Sequence, residues 1–375
     1  MSEKHSSSSS RRDFLIGKAV RSQIEHAGGA LTDQISSAFD GSVAPSAGDT
    51  IRLATRAMAC EFAVMMNPVP SDQVMTASDA LELIHVLEGQ LTVYRENSEM
   101  SRLNRRAAAG PVKVEGQLFE LLAECRRLCL QTQAEFDPTS GPLIELWRQR
   151  RQTSQIPTGT EIAACLKKTG IEFVEFDRAQ QTVRYRRPEI ELNLGGIGKG
   201  YALDRAGALL LERGLGDWLF HGGQSSLLAR GDHNRLGGWP VGIRNPLFPR
   251  QRLATVLLRD CALSTSGSGL QHFRHGGRRY GHILDPRTGW PAEEMLSVTV
   301  LAATAAEADA LSTAFFVGGV ESVRRYCDNH QGIGAILIPP PRRGRRLEPI
   351  VWGIPAEVLF FAETPAQFVE AKSGA

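Results

Sequence analysis

Hydrophobic residues recur every three or four positions in four stretches of the chain, and this spacing predicts four amphipathic helices. The clearest stretch runs from Leu118 to Cys129 and predicts a helix over residues 117–131. An earlier helix is predicted around residues 81–91, with Ser78 as its cap. A third helix is predicted directly after the glycine-rich residues 195–200, and a fourth is predicted to begin near residue 305.

Short apolar runs between polar or glycine-containing segments predict strands. These runs are residues 60–66, 173–177, 182–185, 190–194, 218–221, 241–244, 255–258, 297–301, 335–338 and 350–354. The second and third runs are spaced to pair as a hairpin. Because the strands outnumber the helices that could connect parallel strands, the pattern predicts an α+β fold with mixed or antiparallel sheets and packed helices.

The composition of the chain changes along its length and predicts one ordered domain. Residues 1–50 are rich in Ser, Gly, Ala and charge, which predicts a flexible leader. Residues 51–360 are predicted to form the domain, and residues 361–375 a C-terminal tail.

The leader contains a segment, S-R-R-D-F-L at residues 10–15, that resembles a twin-arginine export signal. Charged side chains at Lys18, Arg21 and Glu25 interrupt the apolar stretch that should follow such a signal. A cytoplasmic location is therefore favoured, and Tat-type export or peripheral membrane association are the alternatives.

The overall composition is typical of a globular protein, with 42% hydrophobic and 22% charged residues among 375. A net charge of +2 and few aromatic residues give no support for nucleic-acid binding. The sequence has no stretch of about 18 apolar residues, so no transmembrane segment is expected. The six cysteines form no C-x-x-C pair, which favours buried free thiols over metal ligation or disulfides.

The densest candidate chemistry begins with a glycine-laced hydroxyl loop, L-S-T-S-G-S-G, at residues 263–269. Glycine and hydroxyl residues allow the backbone to approach a phosphate. Arg279 and His282 follow, and both can neutralise phosphate charge, with Asp285 close behind. This order predicts a site for a phosphate-bearing ligand, although a single His such as His282 can also be a hydrogen-bonded core residue.

A candidate metal site follows on the helix predicted from residue 305. Asp309, Ser312 and Thr313 lie at positions i, i+3 and i+4, so they should project from one face of that helix. They offer hard oxygen ligands of the kind that Mg2+ takes. The alternative is that Asp309 forms a local cap or salt bridge while both hydroxyls bond back to the helix backbone.

The glycine-rich residues 195–200, G-G-I-G-K-G, lie between a predicted strand and a predicted helix. Exposed amides at a helix N-terminus favour an anion, but the spacing matches neither the P-loop nor the dinucleotide-binding fingerprint. Tight packing explains these glycines equally well, and Lys199 is either a ligand contact or a solvated residue. Tyr94 likewise either stacks on a planar ligand or is half-buried.

Taken in order, these segments resemble the family of FAD:protein FMN transferases, also called ApbE-like flavin transferases. The resemblance covers roughly residues 51–355. It rests on R-A-M-A-C around Met58, S-E-M-S-R-L-N after Tyr94, F-D-P-T-S-G-P-L-I-E-L-W (136–147), L-N-L-G-G-I-G-K-G-Y-A-L-D (192–204), Gly222-Gly223, Thr265-Ser266-Gly267, Y-G-H-I-L-D-P-R-T-G (280–289) and A-D-A-L-S-T-A (308–314).

The resemblance implies a single catalytic domain that uses FAD and Mg2+ and moves FMN from FAD to a Thr or Ser hydroxyl of an acceptor protein, releasing AMP. The implied ligand contacts are Met58, Tyr94, Glu135, Phe136, Asp137, Asn193, Lys199 and Ile283, and Arg279 is a further candidate for holding the phosphates. The metal ligands implied by the resemblance are Gly196, through its backbone carbonyl, Asp309 and Thr313, and helical spacing adds Ser312. His282 is implied to act near the reacting phosphate, with Asp285 supporting its loop.

The sequence departs from the family pattern at several of these positions. Asn193 and Ser312 stand where Asp is common, and so do Gln224 and Ser268. These departures bear on FAD and metal affinity more than on the reaction class. The departures at Asn193 and Ser312 leave open a non-catalytic flavin-binding protein. A FAD pyrophosphatase, which would use water as acceptor and give FMN and AMP, is the other alternative.

Overall fold

The computed structural model of the protein describes residues 49–267, 272–342, 344 and 346–362, together with the backbone of Val369–Glu370. The predicted leader up to residue 48, with its twin-arginine-like segment, lies outside the described residues. So do residues 268 and 269 of the predicted hydroxyl loop, and residues 363–368 and 371–375 of the predicted tail.

Seven α-helices lie within the described residues. They are α1 (Ser71–Leu91), α2 (Glu99–Arg106), α3 (Gly116–Gln131), α4 (Gly141–Gln152), α5 (Gly159–Leu166), α6 (Gly198–Glu212) and α7 (Ala305–Cys327). The helices predicted over residues 117–131, after residues 195–200 and from residue 305 are confirmed as α3, α6 and α7. In the described part of the chain, no helix is long and apolar enough to cross a membrane.

The strands in the described residues form one large sheet and three small ones. They are β1 (Ile51–Ala57), β2 (Cys60–Met66), β3 (Val112–Lys113), β4 (Val174–Asp177), β5 (Thr182–Tyr185), β6 (Trp218–Gly222), β7 (Ser226–Arg230), β8 (Trp239–Arg244), β9 (Arg252–Leu258), β10 (Ala262–Gly267), β11 (His272–His275), β12 (Arg278–Gly281), β13 (Ser297–Ala302), β14 (Gly334–Ile338), β15 (Ile350–Trp352), β16 (Leu359–Phe361) and β17 (Val369–Glu370).

The nine-stranded main sheet has the order β1-β2-β6-β7-β10-β13-β14-β15-β17. All of its neighbouring strands are antiparallel except β15 and β17. The smaller sheets are β16-β9-β8, β3-β5-β4 and the hairpin β11-β12, and the predicted hairpin β4–β5 is confirmed. Largely antiparallel sheets with packed helices confirm the α+β class.

The centre of the main sheet is buried on both faces, which explains the unbroken apolar run in β6. Trp218 and Phe220 pack in the large core between the sheet and the helices. Leu219, which points to the opposite face, packs with Trp239 and Val256 of the β16-β9-β8 sheet. The sheet therefore separates a helical layer, which includes α6 and α7, from a small β-layer.

The predicted cap at Ser78 is wrong. Helix α1 begins seven residues earlier, at Ser71, directly after Pro70. Asp72 lies in the first turn, where the helix dipole favours a negative charge, and Ala77 is already buried in the core. Ser78 therefore lies inside the helix because the apolar pattern extends further towards the N-terminus than Leu81.

The strand predicted over residues 190–194 is also wrong. Glu191 forms only an isolated bridge with Ser140. The neighbouring Leu192 is held instead by the Asn104 side chain, whose Nδ2 donates to the Leu192 carbonyl at 2.9 Å and whose Oδ1 accepts from the Leu192 amide at 3.0 Å. One asparagine thus satisfies both backbone groups that a partner strand would otherwise pair.

Candidate active site

Three serine hydroxyls of the main sheet point towards α7. Ser264 and Ser266 lie two residues apart on β10, so their side chains share a face. Thr265 points to the other face, where its Oγ1 lies 2.8 Å from Thr299 Oγ1. The third serine, Ser226, begins β7. The predicted hydroxyl loop is therefore a strand over its described part, and it aims alternate hydroxyls at one helix.

The carboxylate of Asp309 is the centre of this hydroxyl cluster. Its Oδ1 accepts hydrogen bonds from Ser226 Oγ and Ser264 Oγ, both at 2.6 Å, and its Oδ2 accepts from the Gly200 amide at 2.7 Å. Asp309 is 4% exposed, and it has no ion pair with Lys, Arg or His among the described residues. Buried carboxylates in proteins are usually paired or coordinate metals, and the described residues provide no cationic partner for this one.

Ser312 and Thr313 lie beside Asp309 on the same face of α7. Ser312 Oγ is 2.9 Å and Thr313 Oγ1 is 3.5 Å from Ser266 Oγ. Both also donate to the carbonyl of the preceding turn, at 3.0 and 3.1 Å. A Cβ added to Gly196 would lie 3.6 Å from Thr313 Oγ1 and 3.3 Å from the ring of Phe136. The fold thus brings Gly196, Phe136 and the three α7 residues together.

These groups suit a hard cation such as Mg2+ better than a transition metal. They comprise one carboxylate and several hydroxyls, and Mg2+ prefers oxygen ligands. The described residues contain no group of three or more His, Cys, Asp or Glu that could hold a metal ion. The predicted backbone bonds of Ser312 and Thr313 are present, but a donating hydroxyl keeps lone pairs for a ligand.

The glycine-rich turn meets the first turn of α7 at very short range. A Cβ added to Gly200 would lie only 2.0 Å from the Ala305 carbonyl oxygen and 2.6 Å from the Ala306 amide. One turn further along α6, the Asp204 carboxylate accepts from the amides of Ala305 and Ala306 at 2.8 and 2.9 Å. Asp204 therefore caps the start of α7 and keeps Asp309 in register with Gly200.

Asp204 is expected to make stability depend on pH in the acidic range. Burial raises the pKa of Asp204 from 3.8 to about 6, while the two amide hydrogen bonds oppose the shift. Between these values the folded state keeps a proton that the unfolded state has released. The contribution of Asp204 to stability is thus present below its unfolded pKa and lost as pH rises through the folded one.

The substitution Asp204→Asn tests this expectation, because an asparagine side chain does not titrate. The difference between the unfolding free energies of wild type and variant should fall as pH rises from about 3.8 to about 6. Urea titrations at a series of pH values measure both free energies. Parallel curves for the two proteins would contradict the raised pKa.

Most amides of the glycine-rich turn are occupied by protein acceptors. The amides of Ile197 and Gly198 donate to the Leu194 carbonyl at 3.1 and 2.7 Å, and that of Gly195 to Asn193 Oδ1 at 2.8 Å. Gly200 donates to Asp309, as described above. Tight packing thus accounts for much of this turn, and these amides do not form an open cradle for phosphate.

A second group of predicted ligand residues surrounds the β1–β2 turn. Met58 has a left-handed conformation (φ 49°), and its amide donates to Glu88 Oε1 at 2.7 Å. Glu88 Oε2 in turn accepts from Arg95 at 3.3 Å, beside Tyr94. Tyr94 is 70% exposed rather than half-buried, and the Arg148 guanidinium lies 6.0 Å from its ring centre. Its ring is therefore available to a ligand.

Lys199 lies near the same turn. Burial raises the pKa of the Cys60 thiol, and the charges of Lys199 and Arg56 act in the opposite direction. The Lys199 side chain is half-buried and forms no ion pair among the described residues. It therefore offers an uncommitted positive charge near Met58. The six cysteines are free thiols; two of them, Cys125 and Cys129, are buried as predicted, and the other four are half-buried.

The residue that follows the segment Glu135–Asp137 is joined through the backbone to Asn193, which precedes the glycine-rich turn. The Asn193 amide donates to the Pro138 carbonyl at 2.7 Å. Asp137 Oδ1 accepts from the amide and the hydroxyl of Thr139 at 2.8 and 2.7 Å, and burial raises the pKa of Asp137. Phe136, as noted, lies against Gly196. The segment thus stands between Asn193 and the Asp309 cluster.

His282 directly follows β12 and is exposed. Ile283, the next residue, is 9% exposed and belongs to the large core. Arg279 is exposed on β12, opposite Arg274. Ile283 thus anchors the loop in the core, while the neighbouring His282 lies at the surface.

The side chains of Asp285 and Glu135 are both engaged by arginines. Asp285 binds Arg287 through two bonds of 2.8 and 2.9 Å. Glu135 is 2% exposed and accepts from Arg325 at 2.8 Å, from Arg287 at 3.2 Å and from Ser322. The Asp285 side chain is therefore placed to support its loop, and the Glu135 side chain is committed to protein partners.

The family model that matches this sequence is that of the ApbE family, over residues 55–337. The chain belongs to the ApbE family. Its curated relatives include a FAD:protein FMN transferase of Klebsiella pneumoniae, 31% identical over 71% of this chain and 83% of the relative. Another, of Treponema pallidum, is 31% identical over 75% of this chain and 82% of the relative. The expected resemblance is confirmed.

Solved structures of ApbE proteins share the fold. The ApbE protein of Thermotoga maritima superposes with a TM-score of 0.73 at 28% identity, covering 80% of this chain and 96% of that one. The flavin transferase ApbE of Vibrio cholerae gives a TM-score of 0.71 at 27% identity, with 80% and 96% coverage.

Some residues around the site of this ApbE-family chain were not singled out from its sequence. They are Ser226, which binds Asp309, and Glu88, which binds the Met58 turn; Ser264 and Gly200 lie within the predicted hydroxyl loop and the glycine-rich residues, but their bonds to Asp309 were not predicted. The period-two alternation of S-T-S at residues 264–266 is a signal that could have identified the serine of β10. Nothing local marks Ser226 or Glu88, because their partners lie 83 and 30 residues away.

Proposed function

We propose that this protein is a Mg2+-dependent FAD:protein FMN transferase, which moves FMN from FAD to a Thr or Ser hydroxyl of an acceptor protein and releases AMP. The observation that carries the proposal is the buried Asp309 carboxylate without a cationic partner among the described residues, surrounded by hydroxyls. The names of its ApbE-family relatives support the same reaction.

Asp309, Thr313 and the Gly196 carbonyl are the proposed ligands of Mg2+, with Ser312 as a further oxygen. The carboxylate supplies the negative charge and the neighbouring groups supply neutral oxygens. Mg2+ bound there would offset the charge that develops on the phosphates as AMP leaves. Thr313 lies next to Gly196, which supports their joint role, whereas Ser312 lies deeper, between Ser264 and Ser266.

FAD is proposed to lie between the Met58–Tyr94 region and the Glu135–Asp137 segment. The exposed Tyr94 ring offers a face for stacking, and Met58 borders the same region. Asn193 and Ile283 are proposed as further contacts with the flavin part. Lys199 and Arg279 are proposed to hold the phosphates, Lys199 because its ammonium forms no ion pair among the described residues.

In the proposed reaction, the acceptor hydroxyl oxygen forms a bond to the phosphorus of the FMN half. The bond from that phosphorus to the bridging oxygen breaks, and this oxygen leaves with AMP. The hydroxyl proton passes to His282, whose exposed position allows an acceptor protein to reach it. Asp285 contributes by holding the His282 loop through Arg287.

The proposal is tested by incubating the purified protein with FAD, Mg2+ and candidate acceptors encoded near its gene. AMP is measured by chromatography and the acceptor by intact mass. The expected result is AMP in step with an acceptor that is heavier by one FMN group, and loss of both in excess EDTA. AMP and FMN at the same rate without acceptor would identify a FAD pyrophosphatase. FAD retained without any AMP would identify a flavin-binding protein.

A further inference from the structure

The buried carboxylate of Glu135 joins three segments that are distant in sequence. It binds Arg325 near the end of α7 and Arg287 in the loop after β12, 190 and 152 residues away, respectively. Its other oxygen accepts from Ser322, one helical turn before Arg325. Glu135 itself immediately precedes Phe136, which lies against Gly196. One carboxylate thus touches the helix and the loop that carry the candidate catalytic groups.

Helix α7 is shaped to admit this carboxylate. A Cβ added to Gly318 would lie 2.3 Å from Glu135 Oε1, so only glycine leaves room for the side chain. Gly319 interrupts the helix, with φ 65° and ψ −154°, a conformation that favours glycine. The interruption lies between Thr313 and Ser322. Glu135 therefore fits against a break in the same helix that carries the Asp309 cluster.

Arg287 connects Glu135 to the His282 loop through a rigid turn. Its guanidinium binds both oxygens of Asp285, and its amide donates to Asp285 Oδ1 at 2.9 Å. The Asp285 amide donates to the Trp290 carbonyl and the Gly289 amide to the Asp285 carbonyl, both at 2.8 Å. The carbonyl of Gly289 in the same turn accepts a hydrogen bond from Trp147 Nε1 at 2.8 Å. Movement of Arg287 would therefore be transmitted to the whole turn.

We infer that the Glu135–Arg287 ion pair is a positioning device that holds the His282 loop in register with the Glu135–Asp137 segment and α7. Arg287 acts through Asp285 and the turn, and does not touch the reacting atoms. The inference rests on the proposed function, because its effect is read through AMP release. Loss of the pair would free one end of the turn, and small displacements of a reacting group lower the rate strongly.

The chain offers a matched control, since Glu135 has two arginine partners. Arg287→Gln removes the ion pair from Glu135 to the loop, and Arg325→Gln removes the ion pair from Glu135 to α7, so each leaves Glu135 with one arginine. Wild type and both variants are compared in AMP release at saturating FAD and Mg2+, in KM for FAD, and in Tm. If Arg287→Gln fails to fold, Arg287→Lys replaces it: lysine keeps a charge near Glu135 but cannot form the two-bond contact with Asp285, so Glu135 is no longer connected to the turn and kcat should again fall.

The expected result is a fall in kcat of about tenfold or more in Arg287→Gln, with KM for FAD changed by less than about threefold. Arg325→Gln should keep kcat within about threefold of wild type, although its Tm should fall by about as much as the Tm of Arg287→Gln. Equal kcat losses in the two variants, or a loss of Tm alone in Arg287→Gln, would overturn the inference. If wild type itself releases no AMP, the proposed function fails instead.

Discussion

Replacing Asp309 by Asn is expected to lower the rate of Mg2+-dependent AMP release from FAD by a factor of at least about 100 to 1,000. Asp309 is the only carboxylate in the described hydroxyl cluster, so the substitution removes the charge that a cation would balance. Asparagine has nearly the same size and can still accept from Ser226 and Ser264 through its Oδ1, although its Nδ2 cannot accept the bond that Asp309 Oδ2 takes from the Gly200 amide. The variant therefore tests charge rather than packing, and AMP is measured by chromatography at saturating FAD.

A binding measurement separates this expectation from misfolding. A cation that binds only the folded protein raises Tm, so Mg2+ should stabilise wild type and leave Asp309→Asn unchanged. Ser312→Ala is the comparison within the same cluster, and its rate should stay within about tenfold of wild type, because a neutral oxygen is lost rather than a charge. Full AMP release in a folded Asp309→Asn protein would refute the proposed metal role.

Gly200→Ala should lower the free energy of unfolding by about 3 kcal/mol or more, because overpacking is costly where the structure cannot yield. The added Cβ would lie 2.0 Å from the Ala305 carbonyl oxygen, far inside van der Waals contact. The Asp204 carboxylate holds the amides of Ala305 and Ala306, so α7 cannot retreat without breaking its cap. Any retreat would also stretch the bond from Gly200 to Asp309. Urea denaturation of both proteins measures the change.

Gly89→Ala is the matched control for this substitution. Gly89 lies in α1, and a Cβ added there meets nothing within 4 Å. Alanine should therefore raise the unfolding free energy by about 0.5–1 kcal/mol, the ordinary gain in helix propensity. If Gly200→Ala were as stable as Gly89→Ala, the close approach of α6 and α7 would not constrain this site.

Local patterns were sufficient where a structure depends on neighbouring residues. The apolar spacing in residues 117–131 corresponds to α3, and Glu115 caps it with a 2.9 Å bond to the Leu118 amide. The same reasoning failed at residues 190–194, where an apolar run is held by the Asn104 side chain instead of a partner strand. No local signal distinguishes these two outcomes, because Asn104 lies 88 residues away.

The sequence by itself determined the α+β class, the family, and the presence of Asp309, Ser312 and Thr313 on one face of a helix. Helical spacing and motif order are properties of consecutive residues, so they can be deduced without coordinates. Only the tertiary structure decided that Ser226, Ser264 and Gly200 converge on Asp309, and that Arg287 reaches Glu135. These distances depend on the register of β7 and β10 in the main sheet and on how closely α6 packs against α7. Local sequence therefore predicts which side chains carry the candidate chemistry. That the described residues provide no counter-charge for Asp309 is a property of the tertiary structure, because it depends on which elements pack around this carboxylate.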